Sequence, residues 1–235
     1  MKKFLLMFAL AVMSVSMASA TTIGDLIGTD ADNGLVVGDK VFYGFSCAIS
    51  TGGGASYTCA DVNNWAVDPI LGPDYGLNFT TNLVVQSGFI DVDLSFFVKS
   101  LAGSTITGIG LGFTPSVSGA GYAKIAETAI DQGDLGNTGT ALVQKLGPFN
   151  DLTDPPGESA DVLVLGHTAQ ILKITKDILV QSCFGPCSTQ EPNIAGITNF
   201  EQTFPQVGNQ IPEPGTYAMM GAGLLALAAI RRRKA

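Results

Sequence analysis

The sequence predicts an all-β protein whose exported part folds as an antiparallel β-sandwich ectodomain. Three observations favour this class: apolar and polar residues alternate, glycine is abundant at 29 of 235 residues, and only 14% of residues are charged. Short alternating segments separated by Gly, Asn, Asp and Pro are typical of sheets that bury one face. No segment has the pattern of a good amphipathic helix between the two termini.

The first twenty residues have the form of a secretory signal. Lys2 and Lys3 precede an apolar run, and Ala18 and Ala20 make the small-x-small pattern that signal peptidase cleaves. We therefore expect residues 1–20 to be removed and exclude them from the fold. The alternative is an uncleaved anchor helix, which the short run and the good cleavage site disfavour.

Alternation predicts eight strands in the exported domain. In chain order they are KVFYGF from Lys40, GLNFTTNLVVQS from Gly76, FIDVDLSFFVKS from Phe89, TITGIGLGF from Thr105, GYAKIAETAI from Gly121, ADVLVLG from Ala160, AQILKITKDILV from Ala169 and ITNFEQTF from Ile197. GYAKIAETAI also fits a helical turn, and we favour a strand.

The segment FIDVDLSFFVKS has the clearest alternation. One face holds Ile90, Val92, Leu94, Phe96 and Val98, and the other holds Asp91, Asp93, Ser95 and Lys99. In AQILKITKDILV, the residues that point one way are Leu172, Ile174, Ile178 and Val180. The last strand places Phe200 and Phe204 on a shared face.

Three glycines alternate in TITGIGLGF. Gly108, Gly110 and Gly112 share one face of a strand, whereas the G-x-G-x-x-G dinucleotide motif needs a different spacing and a following helix. We expect the flat stripe to pack closely within the domain. A ligand or partner surface is the alternative.

Four cysteines fit an oxidising compartment. The favoured pairing is local, Cys47 with Cys59 and Cys183 with Cys187, since each pair closes a short Gly-rich or Pro-containing loop. A four-thiolate zinc site is the alternative, but neither pair has Cys-x-x-Cys spacing.

Charge disfavours nucleic acid as a partner. Between Thr21 and Gln210 there are six basic and nineteen acidic residues, a formal charge of about −13. Such a surface repels phosphate backbones and anionic headgroups.

The sequence lacks the residue combinations that mark known catalytic sites, and we predict no catalytic residue, resident metal or cofactor. The single histidine, His167, lies in VLGHTAQ at an expected turn, and the chain has no Gly-x-Ser-x-Gly nucleophile elbow. We assign His167 a structural or solvent-facing role. TDADNG, with Asp30, Asp32 and Asn33, lacks the EF-hand spacing and distal glutamate, which favours an Asx-rich turn over a calcium site.

The single tryptophan has two interpretations. Trp65, with Tyr75 nearby in sequence, could stack on a sugar ring, but a lone tryptophan is more often a core anchor.

The carboxyl terminus predicts one membrane span. Thr216 to Ile230 is uncharged, and its length of roughly 22 Å as a helix is short against a hydrocarbon core of ~30 Å. The basic cap that follows is expected to stay in the cytoplasm; it consists of Arg231, Arg232, Arg233 and Lys234.

Together, Pro212-Glu213-Pro214, the apolar helix and the basic cap resemble the PEP-CTERM sorting signal of Gram-negative bacteria, also labelled the ice-binding-protein C-terminal domain. This resemblance implies processing near Pro-Glu-Pro by an exosortase-type membrane protease, followed by passage to the cell surface or extracellular polysaccharide. The two prolines keep the segment extended and accessible to a protease. An ordinary proline-rich linker before a permanent tail anchor is the alternative.

More loosely, GDKVFYGF, LKITKDILV and ITNFEQTF are similar to segments of many small PEP-CTERM ectodomains, which implies a β-sandwich and no catalytic residues. We therefore expect three regions: signal peptide 1–20, β-sandwich 21–205, and linker, motif, span and cap 206–235. The expected function is that of a non-enzymatic cell-surface or biofilm-matrix protein. The alternatives are a carbohydrate- or ice-binding module and, less favoured, a secreted hydrolase.

Overall fold

Alternation of apolar and polar residues produces two antiparallel sheets that pack face to face. The computed structural model describes residues 21–101, 103–135, 138–146, 160–183 and 193–208. Every paired strand in this part of the chain is antiparallel to its neighbour. The expected sandwich is therefore confirmed as the architecture of the domain.

One sheet has seven strands among the described residues. Its order is β1-β4-β5-β12-β7-β10, with β13 also pairing with β7. These strands are β1 (Thr21–Thr22), β4 (Ala66–Ile70), β5 (Gly76–Val85), β7 (Ser104–Ser118), β10 (Ala160–Ala169), β12 (Ile194–Thr203) and β13 (Gln206–Gly208).

The other sheet has six strands in the same described ranges, in the order β2-β3-β6-β11-β8-β9. These strands are β2 (Leu35–Val37), β3 (Lys40–Gly52), β6 (Phe89–Ser100), β8 (Tyr122–Asp131), β9 (Thr138–Leu146) and β11 (Ile171–Gln181).

Two single-turn helices precede strands near the amino-terminal side of the domain. They are α1 (Ile23–Leu26) and α2 (Cys59–Val62). Each begins after a threonine whose backbone N–H donates to an aspartate three residues later, in the segments TIGD and TCAD. This is the reciprocal pattern of a capping box. The sequence analysis did not predict these helices, because a helix of four residues is too short to show helical periodicity.

All eight predicted segments are strands in the structure. The clearest, FIDVDLSFFVKS, matches β6 from end to end, and its five predicted core residues are buried. GYAKIAETAI forms β8, so the strand interpretation is confirmed there as well. Alternation worked because each strand buries one face against the opposite sheet.

A bulge in β3 keeps its aromatic residues in the core. Gly44 has φ +65°, and the pairing with β6 shifts register between Tyr43 and Ser46. Glycine adopts this left-handed conformation without a Cβ clash. The shift lets Phe42 and Phe45, three positions apart, both face inward.

Stacked aromatic rings fill the space between the sheets. Phe45 and Phe96 of the six-stranded sheet stack at 4.8 Å between centroids, and Phe79 and Phe200 of the seven-stranded sheet stack at 4.5 Å. Each such pair contributes about 0.5–1.5 kcal/mol beyond the burial of its area. The aromatic centre excludes water from the middle of the sandwich.

Two lysines of the described ranges are buried in this interior, which alternation did not reveal. Lys40 begins β3 and Lys176 lies midway along β11, and both side chains have no exposed surface. Lys176 occupies the inward face between Ile174 and Ile178, where an apolar residue is expected.

Among the residues described, no helix has the length and apolarity that a membrane crossing requires. The predicted span, Thr216 to Ile230, lies outside the described residues.

Candidate functional site

The outward face of the six-stranded sheet collects charges from three strands. Asp91 and Asp93 point outward from β6 as predicted, and Asp93 is directly opposite Asp177 of β11. Lys124 of β8 places its Nζ 2.8 Å from Asp177 Oδ2. We call these four residues the acidic face. Strand register brings them together, so sequence spacing predicted only the two aspartates of β6.

Crowding of carboxylates on the acidic face perturbs Asp91. Its pKa is raised from 3.8 to about 6, first because burial desolvates the charged form, and then because Asp177 and Asp93 repel it. Lys124 opposes this shift. Asp91 Oδ1 is buried and has no hydrogen-bond partner among the described residues. Asp91 Oδ1 is thus enclosed, and the oxygens that this face offers to a ligand are those of the exposed Asp93 and the half-buried Asp177.

An aromatic pair adjoins the acidic face. The rings of Tyr43 and Phe97 stack at 5.4 Å with an interplanar angle of 18°, and both side chains are half-buried. Ser46 Oγ and Ser95 Oγ lie 2.8 Å apart on the neighbouring positions of the same two strands. The combination of a ring face with hydroxyl and carboxylate groups can bind a polar ligand that also has an apolar surface.

His167 lies inside β10, not in the turn that the sequence predicted. The pairing of β10 with β7 shifts register between Val164 and Ala169, and His167 falls within that irregular stretch. Its Nε2 is 3.0 Å from Asp131 Oδ2, while Asp131 Oδ1 accepts the Gly133 backbone N–H at 2.8 Å. Asp131 ends β8 of the six-stranded sheet, so the pair links that sheet to β10 of the seven-stranded sheet.

A groove of about 170 Å³ adjoins this histidine; its lining comprises Thr138, Gly139, Leu163, Val164, Leu165, Gly166 and His167. Among the described residues, the hydrogen bond of the imidazole goes to Asp131 and to no hydroxyl nucleophile. The histidine thus has an orienting carboxylate but lacks the serine, threonine or cysteine partner of a nucleophilic triad in this part of the chain.

The TDADNG segment is an Asx-rich turn. Asp30 Oδ1 accepts the backbone N–H groups of Asp32 and Asn33, each at 3.0 Å, and Asn33 Nδ2 at 2.9 Å. These bonds lower the pKa of Asp30, with the Asn33 side chain contributing most. Within the described ranges, no group of three or more His, Cys, Asp or Glu side chains is placed to hold a metal ion.

Trp65 is a core anchor, and the suggestion that it stacks on a sugar is wrong. Its side chain is buried, its Nε1 donates to Tyr57 Oη at 2.8 Å, and its ring meets Phe200 edge-on at 5.9 Å. Tyr75 lies over the buried amine of Lys40 instead of beside the tryptophan.

The glycine stripe of β7 packs within the domain, as favoured. A Cβ on Gly108 would lie 2.7 Å from the backbone oxygen of Leu163, and one on Gly110 would collide with the side chain of Thr203. The glycines thus allow the two neighbouring strands to approach closely.

The first predicted disulfide is present. Cys47 of β3 and Cys59 of α2 are bonded, with their Cα atoms 5.9 Å apart. Cys187 lies outside the described residues, so its pairing with Cys183 stays a prediction.

The predicted processing residues also lie outside the described residues. They are Ala18 and Ala20 at the signal cleavage site, Pro212, Glu213 and Pro214 at the sorting motif, and Arg231, Arg232, Arg233 and Lys234 in the cap.

Comparison with solved structures gives matches at low similarity. TmCBM61, solved with β-1,4-galactotriose, is 16% identical over 69% of this chain and 88% of its own, with a TM-score of 0.30. The enzymatically active domain of bacteriophage CBA120 tailspike protein 4 is 10% identical over 77% of this chain and 21% of its own, with a TM-score of 0.27.

A third structure, of carbohydrate-binding modules from the β-sandwich superfamily with promiscuous specificity, is 8% identical over 77% of this chain and 61% of its own, with a TM-score of 0.26. Among curated proteins, none matches this chain.

Comparison with protein families gives one match, and it covers the segment that the sequence singled out. Residues 210–234 match the family described as the PEP-CTERM protein-sorting motif. This chain therefore carries a PEP-CTERM protein-sorting motif at its carboxyl terminus.

Proposed function

We propose that this chain is a non-enzymatic protein of the bacterial cell surface or extracellular matrix, delivered there by its sorting tail. The observation that carries the proposal is the sorting motif at residues 210–234 behind a β-sandwich with a disulfide. A disulfide suits an oxidising, exported environment. In this proposal the carboxyl-terminal tail determines where the chain is delivered, and the β-sandwich is the domain that is delivered.

In this account the two termini act in sequence. The signal at residues 1–20 starts export and is removed, and the apolar segment Thr216 to Ile230 holds the domain at the inner membrane. An exosortase-type membrane protease then cleaves near Pro212-Glu213-Pro214. The released domain passes to the surface, where exopolysaccharide is its expected neighbour.

A variant of the motif tests this itinerary. Glu213→Ala should leave unprocessed precursor in the inner-membrane fraction, because the protease loses the charged side chain of its recognition motif. Glu201→Ala is the matched control, since Glu201 is an exposed glutamate of β12 outside the motif, and it should be processed normally. Fractionation followed by immunoblotting gives the answer, and normal processing of Glu213→Ala contradicts the proposal.

The second candidate is carbohydrate binding at the acidic face, favoured by the aromatic pair beside it. Sugar hydroxyls donate to carboxylates such as Asp93 and Asp177, and a sugar ring can lie against Tyr43. The ligand must be neutral or cationic, because the acidic domain repels anions.

A glycan array with matched variants tests this candidate. Tyr43→Ala and Asp93→Asn should each weaken binding at least about tenfold, which corresponds to losing ~1.4 kcal/mol of contacts. Asp68→Asn, an exposed carboxylate of β4 on the opposite sheet, should bind like the unaltered protein. A folded protein that binds no glycan leaves the purely structural role.

A further inference from the structure

A polar triad lies between the two sheets, in the aromatic interior. Lys176 comes from β11 and Glu127 from β8, both in the six-stranded sheet, and Gln202 comes from β12 in the seven-stranded sheet. The exposed fractions of these residues are 0%, 1% and 0%. Water is therefore excluded from all three functional groups.

Hydrogen bonds hold the three side chains together. Lys176 Nζ donates to Glu127 Oε2 and to Gln202 Oε1, so the amine lies beside the Gln202 carboxamide. Gln202 Nε2 donates to the Gly110 backbone oxygen at 3.1 Å, which fixes the plane of the carboxamide. Glu127 Oε1 has no hydrogen-bond partner among the described residues.

Burial favours uncharged forms of the amine and the acid. Desolvation lowers the pKa of Lys176 and raises the pKa of Glu127, while their mutual attraction opposes both shifts. The Phe200 ring, with its centroid 5.6 Å from Nζ, forms part of this dry surrounding. Transfer of one proton from the ammonium to the carboxylate leaves a neutral amine, which is a nucleophile, and a neutral carboxylic acid.

We propose that Lys176 and Gln202 form an intramolecular isopeptide bond, with Glu127 as the proton carrier. The Lys176 amine is held against a carboxamide carbonyl in a site closed to water, and the Glu127 carboxyl group contacts the amine. Because folding already holds the two groups together, the reaction does not have to overcome the entropy cost of bringing them into contact.

The reaction is an exchange of one amine for another at Gln202 Cδ. The lone pair of Lys176 Nζ forms a bond to Cδ, and the carbonyl electrons move onto Oε1. Nζ passes one proton to Glu127, and Glu127 delivers one proton to Nε2. The Cδ–Nε2 bond breaks with its electron pair on nitrogen, which leaves as ammonia. The products are a secondary amide and ammonia, and Glu127 is regenerated without any change of oxidation state.

The bond would join the two sheets covalently through their centre. Lys176 and Gln202 are 26 residues apart in sequence and belong to different sheets. The bond would close a loop from residue 176 to residue 202. This loop contains Cys183 and Cys187, the two residues of the second predicted disulfide. An amide cross-link survives reducing agents, which a disulfide does not.

Peptide mapping of the full-length protein produced in cells tests the proposal. After denaturation, reduction and digestion, mass spectrometry should find one linked peptide containing both residues. Its mass should be lower by one ammonia than the sum of its two parts. Recovery only of separate peptides, with a free Lys176 amine and an intact or deamidated Gln202, overturns the proposal. This test requires no variant, so it does not depend on how a substituted core folds.

Variants then assign the roles. Lys176→Met should abolish the linked peptide, whereas Lys40→Met, which replaces the other buried lysine, should retain it. Glu127→Gln preserves size and hydrogen bonding but carries no transferable proton, so the linked fraction should fall at least about tenfold. Full linkage in Glu127→Gln contradicts the role of Glu127, and a link from Lys40 to Gln206 in place of the Lys176 link contradicts the choice of site.

Discussion

In the described part of the chain, two buried lysines lie between the sheets, and they differ in how well the neighbouring glutamine is shielded from water. Lys176 contacts Glu127 and Gln202 beside the Phe200 ring, and Lys40 contacts Asp39 and Gln206 beside the Tyr75 ring. In each set an amine meets a carboxylate and a carboxamide under an aromatic ring. Gln202 is fully buried, whereas Gln206 is only half-buried and lies near the end of the domain.

The difference in water access determines what each lysine can do. At Lys40 the carboxylate is the preceding residue, and Asp74 adds a second attractive charge. Burial still lowers the pKa of Lys40, but these acids act against the shift. Lys40 and Asp39 are both buried, so Gln206 is the member of this set that water can reach. The carboxylates of Asp39 and Asp74 favour the charged amine, and a charged amine is no nucleophile. Among the described residues, only the Lys176 site combines an amine, a carboxylate and a carboxamide that are all buried.

The largest expected effect comes from removing one partner of the drier site. Glu127→Ala leaves the Lys176 amine both unlinked and without its carboxylate in the core, and it should lower the free energy of unfolding by about 3–5 kcal/mol. Asp39→Ala should cost less, about 1–3 kcal/mol, because Gln206 and Asp74 remain near Lys40. Urea denaturation measures both values.

The control for this comparison is an apolar replacement of the pair. Lys176→Met combined with Glu127→Leu leaves no unpaired charge and should recover most of the loss from Glu127→Ala. Equal losses for Glu127→Ala and Asp39→Ala would mean that the two lysine sites are energetically alike, and the distinction between them would be abandoned.

The disulfide gives the next largest effect and tests whether the bond is energetically coupled to the Lys176 site. Replacing Cys47 and Cys59 together by serine opens a loop of 12 residues in sequence separation and should cost about 2–4 kcal/mol. Cys47 and Lys176 lie opposite Leu94 on the two sides of β6, two strand spacings (~10 Å) apart. At this separation the loss of the bond should add to that of Glu127→Ala within about 0.5 kcal/mol. Thermal and urea unfolding of the combined variant check this, and a large deviation from additivity would show coupling.

A smaller effect with a defined pH window comes from the acidic face. The folded-state pKa of Asp91, about 6, exceeds its ordinary value of 3.8, so the folded protein binds more protons than the unfolded chain between these values. Stability contributed by this group is therefore present below pH ~4 and lost as pH rises to about 6. After allowance for solvent screening, we expect a loss of about 1 kcal/mol.

Asp91→Asn is the test of this window. The variant should be more stable than the unaltered protein above pH 6 and should lack its decline between pH 4 and 6, as measured by urea unfolding at several pH values. Asp68→Asn, in β4 on the other sheet, is the matched control and should keep the decline. An unchanged pH profile in Asp91→Asn would contradict the raised pKa.

The smallest effect is expected from the exposed ion pair. Lys124→Ala should lower stability by less than ~1 kcal/mol, because Lys124 and Asp177 are both partly in solvent. It should also raise the pKa of Asp91 further, since Lys124 opposes that shift. NMR titration of the Asp91 carboxyl checks the second effect, and a lowered pKa would contradict the account.

Local alternation predicted the sandwich well, because each strand has a buried and an exposed face. It identified the inward residues of β6 in full and the four apolar inward residues of β11. It passed over Lys176 because a lysine on an inward face has no signal in a hydrophobic pattern. Its partners are 49 residues before it and 26 residues after it in the chain.

Alternation also could not show which charged residues from different strands meet on the surface. Asp91 and Asp93 were assigned to the outward face from their spacing, but Asp177 and Lys124 join them only through strand order and register. His167 was expected in a turn between two predicted strands, yet β10 continues through it with an irregular register. Motifs confined to a few neighbouring residues, such as the Asx-rich turn and the sorting motif, were predictable from sequence.

The most direct test of the account is the mass of the protein recovered from outside the cytoplasm of its own cells. Export and tail processing predict a mature chain that begins at Thr21 and lacks Arg231, Arg232, Arg233 and Lys234. A mature, soluble chain that still carries these four residues would contradict the proposed delivery and, with it, the surface role.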